Sequence, residues 1–157
     1  MTDKFTTDKG KSFNFTFKEN DFNFPKDRVT SIAGVIFDEN GDIVTIELDR
    51  GIDIPGGHIK RGETIKEALI RECMEEAFIE IDDLKISSII ESDYFGTKKE
   101  DLTYMLIFSG KLKKELLFQE NKESKKRIHI SPKDFLLNYT GNKEFMKKII
   151  FNSLNYN

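Results

Sequence analysis

Apolar and polar residues alternate at Phe13, Phe15 and Phe17, the period of a half-buried strand. Glu19 to Lys26 is polar, is broken by Pro25, and reads as a loop. Val29 to Phe37 is nearly continuous apolar and β-branched, which predicts a buried strand. Asp38 to Asp42 is turn chemistry, with Asn40-Gly41 supplying positive φ. Ile43 to Leu48 then returns as a second strand and makes a hairpin. Asp49 to Gly62 holds four glycines and Pro55 and reads as a structured loop. Thr64 to about Phe78 has the helical period, with Ile65, Ala68 and Leu69 on one face and a Thr64/Glu67 capping box. Strands are expected at Leu84–Ile90, Leu102–Leu112 and Arg127–Ile130, with Lys113–Lys126 as a charged loop or strand edge. Ser131-Pro132 opens a helix with Ser as cap and Pro at its first position. A last helix runs from about Lys143 to Leu154. These elements predict an α+β domain with a mixed sheet and helices on its faces. The first 12 residues read as a flexible tail and residues 13–157 as a single domain.

Projected at about 100° per residue, Glu72 and Glu76 fall on the same arc as Ile65, Ala68 and Leu69, and Glu75 sits at its border. The buried stripe of the first turns therefore becomes a carboxylate stripe in the later ones. Carboxylates at this spacing repel each other, and they lie toward the helix C-terminus, where the macrodipole disfavours negative charge. Such a stripe is either a solvated acidic face or a site for a hard divalent cation, whose natural ligands are carboxylate oxygens. Just before the helix, Gly56-Gly57 after Pro55 is either a plain turn or a place of close backbone approach. Glu63 precedes the cap, and Arg71, eight residues on, would tie the loop to the helix through an Arg–carboxylate pair.

Composition narrows the function classes. The chain has 157 residues, 38% of them hydrophobic, enough for one sizeable core. Its 25 basic and 28 acidic residues leave a net charge of -3, which argues against a broadly basic nucleic-acid binder. One cysteine, Cys73, excludes an internal disulfide framework and reads as a core residue. No apolar run approaches the ~18 residues of a membrane span. The N-terminus lacks the apolar stretch of a signal peptide. The expectation is a soluble, cytoplasmic protein with no membrane partner.

Gly57, five residues, Glu63, seven residues, then Arg71-Glu72, apolar Cys73, Met74 and Glu75-Glu76, closing on Ile79, resembles the Nudix box, G-x5-E-x7-R-E-U-x-E-E-x-G-U with U apolar. The order of strands is similar to the family's α/β/α sandwich over roughly Val29 to Asp134. The segment Asp49-Arg50-Gly51 to Pro55-Gly56-Gly57 is similar to bacterial MutT-type nucleoside triphosphate pyrophosphohydrolases. One position departs: Phe78 stands where the family has a helix-closing glycine. A bulky residue is disfavoured in the left-handed conformation. Either the helix runs on by about a turn or, the preferred expectation, Phe78 turns inward and Glu80 to Asp83 make the exit. Ile52 stands where the family often has an aromatic residue.

The resemblance implies hydrolysis of a nucleoside diphosphate linked to another moiety, with Mg²⁺ or Mn²⁺ as cofactor. Glu72, Glu75 and Glu76, with the Gly57 carbonyl, would be the metal ligands. Arg71 with Glu63 would hold the loop. The family often supplies one more carboxylate from a later loop, as base or ligand. Glu123 occupies the usual place and Glu120 is the alternative; each is otherwise a solvated loop glutamate. His58 reads as structural. Lys98, Lys99, Lys111, Lys113 and Lys114 would either steer polyphosphate or be scattered surface charges.

Subfamily signatures leave a small-molecule nucleoside triphosphate as substrate by elimination, one 8-oxo-dGTP-like nucleotide included, with nucleoside monophosphate and pyrophosphate as products. Tyr94 or Phe95 would stack a base, with core packing the other role for Phe95. The alternative is a weakly active or inactive module that binds a nucleotide or an RNA 5′ end. Monomer and dimer both remain open.

Overall fold

The computed structural model describes residues 1–156. Along the chain run β1 (Thr2–Thr6), β2 (Ser12–Lys18), β3 (Val29–Phe37), β4 (Ile43–Leu48), β5 (Gly51–Asp53), β6 (Gly56–His58), α1 (Ile65–Ala77), β7 (Ile79–Ser92), β8 (Thr103–Glu115), β9 (Lys126–Ile130), α2 (Pro132–Asn138) and α3 (Lys143–Leu154). The strands join in one sheet of order β1-β2-β7-β8-β3-β4-β5, with β6 on β3 and β9 on β4. Among the described residues only β3 and β8 pair in parallel; the sheet is mixed.

Period-2 alternation sends the side chains of β3 and β8 to two cores. Ile32 and Ile36 of β3, with Leu106 and Phe108 of β8, meet Ala68, Leu69 and Cys73 of α1. Val35, Phe37 and Ile107 point the other way, onto Phe135 of α2 and Phe145, Met146 and Ile149 of α3. A strand covered on both faces has no solvent side, which explains the apolar run of Ile32–Phe37. The result is an α/β/α sandwich, the fold class read from the sequence.

Three local expectations are corrected. Residues 2–6 are β1, not a tail. Phe5 packs edge-on against Phe15 and Phe145, with ring centroids 4.8 and 5.2 Å away, so the strand has a core contact that its own sequence does not display. The β3–β4 hairpin pairs only at Phe37–Ile43. β3 is occupied by β8 along most of its length and by β6 at Ser31–Ala33, and β4 instead pairs with β5 and β9.

The third concerns Phe78. It takes the left-handed conformation itself, at φ 55° and ψ 48°, and closes α1 without a rebuilt exit. Its ring is half-buried, edge-on to Phe118 at 5.4 Å. Arg127 Nη1 donates to the carbonyls of Ala77 (2.9 Å), Phe78 (3.2 Å) and Leu116 (2.9 Å). A cation on the terminal carbonyls complements the helix dipole and offsets the steric cost of a phenylalanine there.

Candidate active site

Thr64 caps α1 by accepting the N–H of Glu67 (3.1 Å), which fixes the start of the helix and so the phase of every later residue. That phase buries Ala68, Leu69, Cys73 and Ala77, and with them Glu72 and Glu76, only 8% and 7% exposed. Across from them β6 runs along β3, with Gly56 opposite Ala33 and Gly57 opposite Ile32. The N–H of Gly56 donates to Glu76 Oε1 (2.9 Å). Gly57 lies against Glu72 so closely that a Cβ there would come within 2.5 Å of Oε1. Only glycine permits this approach of backbone to carboxylate.

Arg71 knits the loop to the helix. Its Nε donates to Glu63 Oε2 (2.6 Å) and its Nη2 to Glu63 Oε1 (3.0 Å) and to the His58 carbonyl (3.1 Å). Its Nη1 donates to Glu72 Oε1 (2.9 Å) and Glu75 Oε2 (3.2 Å). Glu63 also accepts the N–H of Lys60 (2.7 Å), and Arg71 holds its carboxyl below the usual range.

Glu75 is placed differently from Glu72 and Glu76: its side chain is half exposed and turned to Arg71. Among the described residues, no three His, Cys, Asp or Glu side chains form a ready-made metal cage. With like charges repelling at i, i+3 and i+4, the guanidinium is the nearest cation that Glu75 can reach. Glu72, Glu76 and Gly57 do converge. Burial pushes the Glu76 carboxyl up to about 7, with the charges of Glu72 and Glu123 adding to the effect and the Gly56 N–H opposing it. Hard oxygen donors, close backbone and an ill-compensated buried carboxylate together fit a hard divalent cation.

Glu123 reaches the same place from the β8–β9 loop. Asn121 Oδ1 accepts the N–H groups of Glu123 and Ser124 (2.9 Å each), shaping the turn that carries it. Glu123 and Lys122 share a recess with Glu76 and Arg50; Glu120 is exposed and does not line it. Other residues fall elsewhere. Lys111 pairs with Asp83 at the surface (3.4 Å), and Lys113 and Lys114 line a recess beside His129. Tyr94 packs on Phe13, and Phe95 is 64% exposed rather than in the core. Neither Tyr94 nor Phe95 lines the cavity beside Glu76.

That cavity, about 330 Å³, runs from Gly57 and Glu76 to Asp53, Tyr139 and Phe145. Sequence reasoning missed Asp53, Arg50 and Tyr139. They come from β5, the turn before it and the end of α2, and no spacing rule links these positions.

The family model of the NUDIX domain matches residues 27–151. A search of curated proteins finds no match. Among solved structures, a pyrophosphohydrolase of Bacillus subtilis, BsRppH, superposes with a TM-score of 0.65 at 21% identity, covering 98% of this chain and 94% of that one. MutT from Methanosarcina mazei gives 0.57 at 18% identity, over 81% and 94%. An ADP-ribose pyrophosphatase from Streptococcus suis gives 0.58 at 18% identity, over 78% and 90%. At these identities the likeness is one of fold. No helix among the described residues is long and apolar enough to cross a membrane. Members of the matched family generally use divalent cations. The chain belongs to the NUDIX domain family and is a hydrolase of pyrophosphate bonds.

Proposed function

We propose that the chain is a Mg²⁺- or Mn²⁺-dependent pyrophosphohydrolase that converts a nucleoside triphosphate, oxidised ones included, to nucleoside monophosphate and pyrophosphate. The observation that carries this reading is the convergence of Glu72, Glu76 and the Gly57 backbone, of which Gly57 and Glu76 line a cavity of about 330 Å³. The proposed setting is the cytoplasm, and the partner a small-molecule nucleoside polyphosphate.

Glu72, Glu76 and the Gly57 carbonyl would hold the cation, with Glu75 joining them when it leaves Arg71. A bound divalent cation supplies neutralisation of polyphosphate charge and acidification of water. Arg71 and Glu63 position the Gly57 backbone by fixing the loop that follows it. Arg50 and Lys122, beside Glu76, offer positive charge to the phosphate chain. In the reaction, water oxygen bonds to phosphorus, the bridging P–O bond breaks, and pyrophosphate leaves with the electron pair. Glu123 is the base assigned to take the proton of the attacking water.

The test is a panel of nucleoside triphosphates, 8-oxo-dGTP among them, and dinucleotide diphosphates with Mg²⁺, with every product identified. Nucleoside monophosphate and pyrophosphate in equal amounts are expected. Nucleoside diphosphate with phosphate, or turnover of dinucleotides alone, overturns the substrate assignment. Nucleotide binding without turnover favours the alternative of a binding module.

A further inference from the structure

Beyond the phosphate end, the cavity has walls of Ile54, Met105, Ile107, Phe145 and Met146. Apolar walls of this kind accept a flat aromatic ring. Polar groups are few in this part, and the carboxylate among them is Asp53, whose side chain is 19% exposed. Its Oδ1 accepts the N–H of Ile54 (2.8 Å) and its Oδ2 accepts from Arg50 Nη2 (3.1 Å). These two bonds fix the plane of the carboxylate. An ionised carboxylate has about four acceptor positions, so each oxygen keeps one for a ligand. Burial raises the Asp53 carboxyl above its ordinary range, against the opposing effects of the Ile54 N–H and Arg50. Two further donors would relieve that cost.

We propose that Asp53 is the base-reading residue of this cavity, its two oxygens accepting the adjacent N1–H and N2–H of guanine or 8-oxoguanine. The inference rests on the nucleotide reading above and adds to it the identity of the base. The hydrogen-bonding edges of the other bases discriminate. Adenine sets the acceptor N1 beside its amino group, and cytosine sets N3 beside its own, so each turns a lone pair toward one carboxylate oxygen. Uracil and thymine offer one N–H between two carbonyls. Hypoxanthine keeps N1–H and lacks the amino group. A buried acceptor left facing a lone pair is costly, and discrimination of this kind exceeds what apolar packing provides.

The test is equilibrium binding of GMP, IMP and AMP to the full chain by calorimetry, with no divalent cation present. The expected order is GMP, then IMP, then AMP, with GMP favoured over AMP by roughly tenfold or more. In Asp53→Asn the amide oxygen keeps the Ile54 bond; the NH₂ takes the place of Oδ2, gives up the bond from Arg50, and now donates, which suits adenine N1. The GMP preference then falls to about unity or inverts. Equal affinities for GMP and AMP in the parent, no binding of any of the three, or an unchanged ratio in a folded Asp53→Asn protein overturns the proposal. Should that variant not fold, the order among the three ligands in the parent decides. Binding is separate from turnover. Guanine preference without hydrolysis removes the enzymatic reading and leaves this one standing; hydrolysis without base preference does the reverse.

Discussion

The guanidinium of Arg71 holds both carboxylate oxygens of Glu63, Nε to Oε2 at 2.6 Å and Nη2 to Oε1 at 3.0 Å. The pair closes the loop between β6 and α1, and the same side chain reaches the His58 carbonyl, next to Gly57. The position of the Gly57 backbone against Glu72 therefore depends on a residue that need not touch substrate.

Arg71→Lys should separate positioning from folding. A lysine ammonium is a compact point charge without the planar fork that matches a carboxylate at two points. The expected outcome is a loss of roughly tenfold or more in kcat/KM, as for other partners that orient a metal site. The melting temperature should fall only modestly: the apolar face of α1 is untouched and the charge is kept, while the two-point bond to Glu63 and the bond to the His58 carbonyl are lost. Steady-state kinetics and a thermal melt on the same preparation check both. Unchanged kcat/KM would remove the loop from the proposed chemistry.

Phe78 permits a clean measurement of backbone strain. Phe78→Ala and Phe78→Gly both lose the ring contact with Phe118, but only glycine is released from the cost of left-handed φ. For an L-residue that cost is about 1–2 kcal/mol. The glycine variant should therefore be the more stable of the two by about 1 kcal/mol or more. Relative to the parent, the alanine variant should lose the aromatic pair, about 0.5–1.5 kcal/mol, together with the half-buried area of the ring. Denaturant midpoints of the three proteins decide it; an alanine variant as stable as the glycine variant would contradict the strained cap.

What could be read from the chain and what could not follows from the range of the interactions. The helix α1 has a local cap and a local period, and the box from Gly57 to Ile79 has fixed spacing. The burial of Glu72 and Glu76 follows from their phase alone. The exit at Phe78 is not legible locally, because its clamp comes from Arg127, 50 positions beyond Ala77. β1 is built on Phe5 meeting Phe145, and β5 and β6 are three residues each, too short to show a period. The base end of the cavity draws on β5, β8, α2 and α3, so Asp53 and Tyr139 become neighbours only through the fold.

His129 sets a pH dependence away from the site. Its Nδ1 meets Asp38 Oδ2 at 2.6 Å and its Nε2 meets Glu115. Burial alone would lower the imidazolium pKa, but the bonds with Asp38 and Glu115 outweigh it and the net shift is upward. Asp38, though burial opposes its ionisation, is held below its ordinary range by His129 and by the N–H groups of Asn40 and Asp42. The stabilisation from His129 is therefore fully present below its unfolded pKa of about 6.5 and is lost as pH rises through the higher folded value. With His129 and Glu115 partly solvated, the effect should be about 1 kcal/mol or less. Denaturant unfolding of the parent and of His129→Gln at pH 5.5 and pH 8.5 measures it (~3 units apart). The difference between the two proteins should shrink at the higher pH, and a difference that grows would contradict the assignment.

Glu76→Gln tests the central claim. Glutamine keeps the shape and the bond from the Gly56 N–H, and removes the charge assigned to the cation. Because the fold raises the carboxyl from 4.5 to about 7, stability falls as pH rises through that interval, and the full cost of the Glu76 charge is present above it. The metal-free variant at pH 8 should therefore melt at or above the parent temperature, with a gain of order 1–3 kcal/mol at most. In the parent, saturating Mg²⁺ should raise the melting temperature, by about 2.7 kcal/mol in stability at a hundredfold excess over Kd. The most direct measurement is a Mg²⁺ titration of pyrophosphate release from a nucleoside triphosphate, run on the parent and on Glu76→Gln side by side. The account predicts saturable Mg²⁺ dependence in the parent and a loss of about 10²-fold or more in kcat in the variant, some 2.7 kcal/mol of transition-state stabilisation. Release that is independent of Mg²⁺, or a variant within about threefold of the parent, would contradict it.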